Sequence, residues 1–242
     1  MSEKNKKIGY IINAIFLGLI IIADICYMTI NCSSYITKTI ASALFVLCGA
    51  INFIYCLKIN KNKVSLFAIF MLLGLIFAML GDILLIDYFV IGAGLFGLGH
   101  VFFFVSYCFL CKVNWKDFVI GAGIFILAFL LIEIYPKFDF NGMKALVIVY
   151  ALIISLMLGK AISNILLKEN RVLNLIILIG ASLFFFSDLM LLFHIFGTGG
   201  LIFDILCLVT YYPAEFILAF SIFYSNLVLN KQQEIQKNDK EN

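Results

Sequence analysis

The sequence predicts an all-α protein that crosses a membrane eight times. Of its 242 residues, 64% are hydrophobic and 13% are charged, and the mean hydropathy is +1.12. A soluble domain averages about 25% charged residues, so a chain this apolar could not cover its surface with polar groups. The apolar residues form solid runs rather than the alternating pattern of a β-barrel. The composition also excludes a disordered chain and a disulfide-stapled secreted module.

Eight apolar runs are each long enough for one spanning helix, which needs about 20 residues. Short polar clusters separate the runs, and the shortest separator is the pair Asp87 and Tyr88. We predict one transmembrane domain over residues 1–242, with a disordered or frayed tail over 230–242. The first run is predicted to be a retained helix, because no small-residue cleavage site follows it. The predicted spans are 8–28, 36–57, 64–86, 89–111, 118–135, 143–167, 172–196 and 200–227.

Basic residues are distributed unevenly between the two sets of helix ends. Fourteen of the 17 lysine and arginine residues fall on the side of the two termini, and only Lys38, Lys137 and Lys144 fall on the other side. Because cytoplasmic loops are enriched in Lys and Arg, this bias predicts that both termini are cytoplasmic. The net charge of +3 reflects this topology and indicates no nucleic-acid partner. The excess of Lys over Arg favours a bacterial plasma membrane.

Charged side chains inside the predicted spans converge near one depth. A charge at the centre of a bilayer costs roughly 2.5–3.5 kcal/mol by insertion scales, so such residues indicate a functional site. Under the predicted topology His100 and Glu215 lie deepest. The others lie late in outward-running spans or early in inward-running spans, and they are Asp24, Lys38, Asp82, Asp188 and Asp204. The sequence therefore predicts one polar, hydrated pocket that opens to the outer side.

Helical spacing places several of these groups on shared faces. In the fourth span, His100 and Tyr107 are seven residues apart and lie on one side of the helix. In the eighth span, Asp204, Tyr211 and Glu215 recur at i, i+7 and i+11. These polar faces are predicted to point into the bundle, because the opposite faces carry the Leu, Ile, Phe and Val residues that suit lipid.

Some of the candidate residues have a simpler interpretation. Asp24 and Asp204 lie near helix ends, where they can reach interfacial water instead of a pocket. Lys38 can extend to the interface, or it can bind an anion. Asp82 and Asp188 are harder to explain in this way, because apolar residues flank them for several turns on one side.

The sequence lacks the motifs of several other enzyme classes. The two histidines, His100 and His194, cannot form a three-His zinc site and do not have HExxH spacing, so we predict no metal and no cofactor. His100 can equally be a packed core histidine. No GxSxG or Walker motif occurs, and the single CxxC of Cys108 and Cys111 lacks the second pair that metal binding would require. The remaining catalytic option is acid–base chemistry by carboxylates.

Four short motifs occur in a fixed order along the spans. They are Gly81-Asp82 with Ile83-Leu84-Leu85, Gly99-His100 with Tyr107, Ser187-Asp188, and Tyr211-Tyr212. This order resembles the YhhN family, which includes the eukaryotic transmembrane protein 86 group, over about residues 10–226. The resemblance implies an eight-span lysoplasmalogenase, which hydrolyses the vinyl ether bond of a lysoplasmalogen to a fatty aldehyde and a glycerophospho-ethanolamine or -choline. It thus implies a membrane lysophospholipid as substrate.

The resemblance also implies roles for individual residues. The essential aspartate pair of the family falls on Asp82 and Asp188. Lys38 matches a lysine that usually precedes proline, although Thr39 follows here, and Glu215 stands where an amide is more common. The residues expected to contact the substrate are Lys38, His100, Tyr107, Tyr211, Tyr212, Asp204, Glu215 and Asp24.

The implied reaction suits a pair of carboxyl groups. Vinyl ethers are cleaved by protonation at carbon, which gives an oxocarbenium ion that captures water, much as in glycoside cleavage. One protonated carboxyl can supply the proton while a carboxylate acts as base or electrostatic partner. Which of Asp82 and Asp188 is the acid stays open at this point. Lys38 would attract the lipid phosphate, and His100 would position water or hydrogen-bond an aspartate.

Three other functions fit the same residues. A proton-coupled or small-solute transporter also uses intramembrane acids, but it would favour inverted repeats and broken helices, and no clear repeat is visible. A hydrolase or isomerase for a different ether or ester lipid would use the same pocket. A noncatalytic lipid-binding protein would tolerate replacement of both aspartates. The sequence indicates neither a head-group preference nor an oligomeric state.

Overall fold

The fold is a bundle of long helices whose ends lie close to the predicted span limits. The computed structural model describes residues 3–30, 35–59, 65–166 and 170–241, and within these ranges the chain forms eight α-helices and no strand. The helices are Glu3–Ile30 (α1), Tyr35–Ile59 (α2), Leu66–Leu85 (α3), Phe89–Cys108 (α4), Trp115–Ile134 (α5), Lys144–Leu166 (α6), Arg171–Phe196 (α7) and Leu201–Glu241 (α8). Each contains a stretch long and apolar enough to cross a membrane, which confirms the predicted all-α class with eight spans.

The largest difference from the predicted spans lies at the carboxyl end. The last helix continues to Glu241, through the segment predicted as a disordered or frayed tail. That segment is rich in Lys, Gln and Glu, which have high helix propensity and can extend a helix beyond its apolar part. Lys61, Lys63 and Lys168, which contribute to the predicted charge bias, lie outside the described residues. The cytoplasmic position of the termini stays a prediction.

The eighth helix forms the centre of the bundle. It packs against α1, α2, α3 and α7, and 61% of its spanning stretch is buried, compared with 17% for α1 and α5. Among the other helices, α3 packs against α4, α5 packs against α6, and α4 packs against α6 although the two are not neighbours in sequence. Gly81 allows the first of these contacts, because a Cβ there would lie 2.6 Å from the Phe96 ring. The polar face predicted for the eighth span therefore lies in the most buried helix.

Aromatic side chains hold three helix connections together at one end of the bundle. These connections are residues 86–88, 135–143 and 197–200. The Asp139 amide donates a hydrogen bond to the Phe196 carbonyl (2.8 Å), and the ring centroids of Phe89 and Phe196 lie 5.6 Å apart. We call this the aromatic end, and we call the end that holds the connection 109–114 the opposite end. The charge bias predicts that the aromatic end faces outward.

Candidate active site

Asp82 lies near the end of α3 and is held by side chains from α2 and α8. Its Oδ2 accepts hydrogen bonds from the hydroxyls of Ser42 (2.6 Å) and Tyr211 (2.7 Å). Its Oδ1 lies 3.4 Å from the Nζ of Lys38. Lys38 and Ser42 are four residues apart, so helical spacing turns both towards α3. Asp82 itself is buried, which makes these partners its main compensation for lost hydration.

The hydrogen bonds around Asp82 accommodate both of its protonation states. The Ser42 hydroxyl lies 2.6 Å from Asp82 Oδ2 and 2.9 Å from the Lys38 carbonyl oxygen, and one hydrogen can serve only one of these acceptors at a time. When Asp82 is ionised, Ser42 donates to the carboxylate. When Asp82 is protonated, it can donate to Ser42, which then donates to the carbonyl. The same partners can therefore serve Asp82 as a carboxylate or as a carboxylic acid.

Asp188 belongs to a second cluster, formed with α4 and α6. Its Oδ2 accepts a hydrogen bond from the Tyr150 hydroxyl (2.6 Å) and lies 3.1 Å from His100 Nε2. His100 Nε2 also lies 2.9 Å from the Tyr150 hydroxyl, so the three groups form a closed triangle. Within the described residues His100 Nδ1 has no hydrogen-bond partner. We therefore assign the ring hydrogen to Nε2, where it can be donated to Asp188.

The two aspartates, although far apart in the chain, line one cavity. Lys38, Asp204 and Tyr211 also line it, so charged and hydroxyl groups from α2, α3, α7 and α8 meet there. The cavity measures about 60 Å³. A water molecule needs roughly 10–15 Å³ by this measure, so the cavity has room for a few waters. We call it the polar cavity.

Asp188 differs from Asp82 in also facing apolar space. A second cavity of about 70 Å³ lies between α3, α4, α6 and α7, and a third of about 60 Å³ lies between α5, α6 and α7. Both are lined by Asp188 and Tyr150 together with hydrocarbon side chains, and Asp82 lines neither. Asp188 therefore lies at a boundary between polar and apolar cavities, whereas Asp82 faces only the polar one.

Besides His100, four residues predicted to contact substrate lie outside the wall of the polar cavity. Asp24 is buried in α1, and Tyr107, Tyr212 and Glu215 are buried in α4 and α8. The predicted contacts of these four residues with substrate stay predictions. His100 also lies outside this wall and reaches the cavity only through Asp188.

Sequence reasoning missed Tyr150 and did not select Ser42 as a site residue. Both carry uncharged hydroxyls, whereas the search was based on the cost of placing charge in a bilayer. Ser42 follows Lys38 by one helical turn, and Tyr150 is the first hydroxyl of the sixth span. A search for hydroxyls near the predicted depth of the acids could have found both.

A second buried lysine–aspartate pair lies near the opposite end of the bundle. Lys160 Nζ contacts Asp117 Oδ2 at 2.9 Å and donates to the Lys112 carbonyl at 3.1 Å. Asp117 also accepts hydrogen bonds from the backbone and side-chain nitrogens of Asn114, in a capping box at the start of α5. The charge bias places Lys160 among the basic residues on the side of the termini. The structure instead buries it fully in α6.

Together these features define an integral membrane protein with eight described helices and a charged cavity near one end of the bundle. The family model described as the YhhN family matches residues 33–222, and the chain belongs to this family. The matched range includes Lys38, Asp82, Asp188 and Tyr211, and the resemblance predicted from the motifs is confirmed. Comparison with curated protein sequences and with solved structures gives no match.

Proposed function

We propose that the protein is a lysoplasmalogenase-type hydrolase that cleaves the vinyl ether bond of lysoplasmalogens inside the membrane. The observation that carries this proposal is the meeting of Asp82 and Asp188 on the wall of one cavity. Membership of the YhhN family supports a hydrolase, and the cavity supplies two carboxyl groups, a cation and space for water. The products would be a fatty aldehyde and a glycerophospho-ethanolamine or -choline.

The geometry favours Asp188 as the acid. Protonation of a vinyl ether occurs on the double-bond carbon that belongs to the hydrocarbon side, and the positive charge then develops on the carbon bonded to oxygen. Asp188 lies where the polar and apolar cavities meet, so it can face the hydrocarbon side of the double bond. Asp82 lies with Lys38 on the polar side, next to the position expected for the ether oxygen and the attacking water.

Each proton in the cycle can be assigned to one of these two carboxyls. The Asp188 carboxylic acid gives its proton to the distal vinyl carbon and becomes a carboxylate. Water then bonds to the oxocarbenium carbon while Asp82 takes one of its protons, which gives a neutral hemiacetal. In the last step Asp82 returns a proton to the glycerol oxygen as the carbon–oxygen bond breaks, and Asp188 takes the hemiacetal hydroxyl proton. The aldehyde leaves and both carboxyls regain their starting states.

Lys38 would bind the phosphate of the substrate. Lys38 lines the polar cavity and its side chain is 13% exposed, so a ligand in the cavity can reach it. Its distance of 3.4 Å from Asp82 Oδ1 leaves the ion pair looser than a direct charge-assisted hydrogen bond of about 2.7–2.9 Å. The same cation can therefore attract an anionic head group and keep a positive charge beside Asp82.

The direct test is aldehyde release by the purified protein in detergent. We expect aldehyde from a lysoplasmalogen, and no hydrolysis of the matched lysophospholipid that carries an ester in place of the vinyl ether. Asp87→Asn is the matched control, because Asp87 is exposed in the connection between α3 and α4. Absence of aldehyde, or equal hydrolysis of the ester lipid, would contradict the proposed reaction. A transporter would release no aldehyde in detergent, where no second compartment exists.

Reaction in D₂O tests the order of the chemical steps. Protonation at carbon places one solvent deuterium on the carbon next to the aldehyde, and rapid trapping of the aldehyde preserves this label for mass spectrometry. We expect one deuterium per product and a slower reaction in D₂O, since transfer of the proton limits the rate. An unlabelled aldehyde would show that the carbon is not protonated, which would exclude the acid role of Asp188.

A further inference from the structure

The larger apolar cavity next to Asp188 has the chemical character of a hydrocarbon site. Ten of its twelve lining residues have pure hydrocarbon side chains, and the other two are Tyr150 and Asp188. We call it the α4–α6–α7 cavity, after the helices that supply most of its wall. Phe89, Ala93 and Phe96 lie on one face of α4, as the spacing i, i+4 and i+7 requires.

This cavity adjoins the polar cavity. The two share the lining residues Leu85, Phe96, Asp188 and Leu191. The third cavity, between α5, α6 and α7, shares only Asp188 with the polar cavity. The polar cavity therefore shares more lining residues with the α4–α6–α7 cavity than with the third cavity. A molecule that extends out of the polar cavity past Asp188 would lie mostly along that shared wall.

The position of the cavity allows a chain to reach the lipid around the bundle. Its wall includes Phe89 and Phe196 at the aromatic end, and Ile195, which is 39% exposed. Because α7 is long and apolar enough to span a membrane, an exposed isoleucine on it can face the surrounding lipid. A chain in the cavity can thus run from Asp188 to the lipid-facing surface without crossing a polar layer.

We propose that the α4–α6–α7 cavity binds the part of the substrate's hydrocarbon chain next to the vinyl ether, and that Ala93 determines how much chain it accepts. This inference rests on the proposed lysoplasmalogenase function. It places the head group by Lys38, the vinyl ether at Asp188, the first methylene groups beside Phe96, which lines both cavities, and the methylene groups of a longer chain beside Ala93. Ala93 is the smallest residue of the cavity wall, so a larger side chain there would occupy the space of the chain.

Matched substitutions of half-buried and exposed residues test this placement. Ala93→Phe fills the α4–α6–α7 cavity, Ala151→Phe fills the third cavity, and Leu98→Phe adds bulk to the lipid-facing side of α4, where Leu98 is 47% exposed. Ala93→Leu is a smaller change for the case in which Ala93→Phe does not fold. The measured quantity is kcat/KM for lysoplasmalogens that share a head group and differ in chain length.

We expect Ala93→Phe or Ala93→Leu to lower kcat/KM for long-chain relative to short-chain substrate by about tenfold or more, since one methylene in a tight pocket changes rates by roughly 10–200-fold. The ratio of kcat/KM for long-chain substrate to kcat/KM for short-chain substrate should stay near the wild-type value in Leu98→Phe and Ala151→Phe. An unchanged ratio in both Ala93 variants, or a loss confined to Ala151→Phe, would overturn the inference.

A binding measurement separates this inference from the proposed reaction. A long-chain lysophospholipid with a saturated ether has no vinyl bond to cleave, and its binding is measured as a shift in the unfolding temperature. We expect it to stabilise the wild type and Leu98→Phe, and to stabilise Ala93→Phe and Ala93→Leu less. This result would support the chain site even if the wild type released no aldehyde. Equal stabilisation of all four proteins would overturn it.

Discussion

Two lysine–aspartate pairs inside the helix bundle have the same chemistry and different surroundings. Lys160 and Asp117, near the opposite end, contact each other at 2.9 Å, and neither side chain has any exposed surface. Lys38 and Asp82, near the aromatic end, lie 3.4 Å apart, and both line the polar cavity. In the first pair Asp117 also accepts a hydrogen bond from Asn114, and Lys160 also donates to the Lys112 carbonyl, so no ligand can reach either charge. In the second pair the lysine stays within reach of a ligand in the polar cavity.

The comparison shows that an ion pair inside a membrane does not by itself indicate a reaction site. Removing charge from water costs several kcal/mol per ion, and both pairs offset part of that cost with hydrogen bonds. Asp117 caps α5 and joins it to α6, so its bonds serve the fold. Asp82 and Lys38 adjoin open space, a second carboxyl and an apolar cavity, which are the features that a substrate requires.

The largest effect on activity is expected from the aspartates of the polar cavity. Asp82→Asn and Asp188→Asn should each lower kcat by about a hundredfold to ten-thousandfold, because each removes a group that transfers a proton. Asp117→Asn should leave the rate per folded molecule near the wild-type value. Aldehyde release, normalised to the folded fraction seen in size-exclusion chromatography, measures this. Normal rates in either cavity variant would contradict the assigned roles.

The largest effect on stability is expected from the fully buried pair of Lys160 and Asp117. Asp117→Asn leaves Lys160 buried without its counter-charge, so the free energy of unfolding should fall by about 3–5 kcal/mol. Adding Lys160→Met to Asp117→Asn should restore much of the loss, since no buried charge then remains. Denaturant titration in detergent micelles compares the single and double variants. If Asp82→Asn were as destabilising as Asp117→Asn, the distinction between the two pairs would fail.

A smaller effect on activity is expected when Lys38, the lysine that lines the polar cavity, is changed. A hydrogen bond to a charged group is worth about 1.5–3 kcal/mol, so Lys38→Gln should raise KM for a phosphate-bearing substrate roughly ten- to hundredfold. Lys38→Arg keeps the charge and should retain most of the affinity. An alkenyl glycerol without phosphate serves as the comparison substrate. An equal loss for both substrates would show that Lys38 acts only on Asp82.

The smallest effect is expected from the hydroxyl beside Asp188. Tyr150→Phe removes the 2.6 Å hydrogen bond but leaves His100 as a partner of the same carboxyl oxygen. A typical hydrogen bond contributes about 0.5–1.5 kcal/mol, so kcat should fall a few-fold to about tenfold. Tyr88→Phe is the control, because Tyr88 is exposed in the connection between α3 and α4. A loss as large as that of Asp188→Asn would mean that Tyr150 itself transfers the proton.

The sequence predicts the eight helices better than it predicts which helices pack against each other. Apolar run length gives the eight spans, and even the short separator at Asp87 and Tyr88 is a real break between α3 and α4. Helical periodicity shows which residues share a face, but it does not show which helix that face meets. Glu215 shares a face with Tyr211, yet only Tyr211 lines the polar cavity.

The cost of buried charge was a useful but incomplete guide to the site. It selected Asp82 and Asp188, which the structure brings to one cavity, and it selected Asp24, which does not line that cavity. It could not select Tyr150, whose hydroxyl costs far less to bury than a charge. It also gave no reason to separate Lys160 from the loop lysines, because a position near a span end is compatible with either environment.

The central claim is that Asp82 and Asp188 act on the same molecule in one reaction, and a double-mutant cycle tests this most directly. Groups that act as a unit show strongly non-additive effects on rate. The account predicts that the Asp82→Asn, Asp188→Asn double variant releases aldehyde about as slowly as the slower single variant. A double variant whose loss equals the product of the two single losses would show that the aspartates act independently, and would contradict the claim.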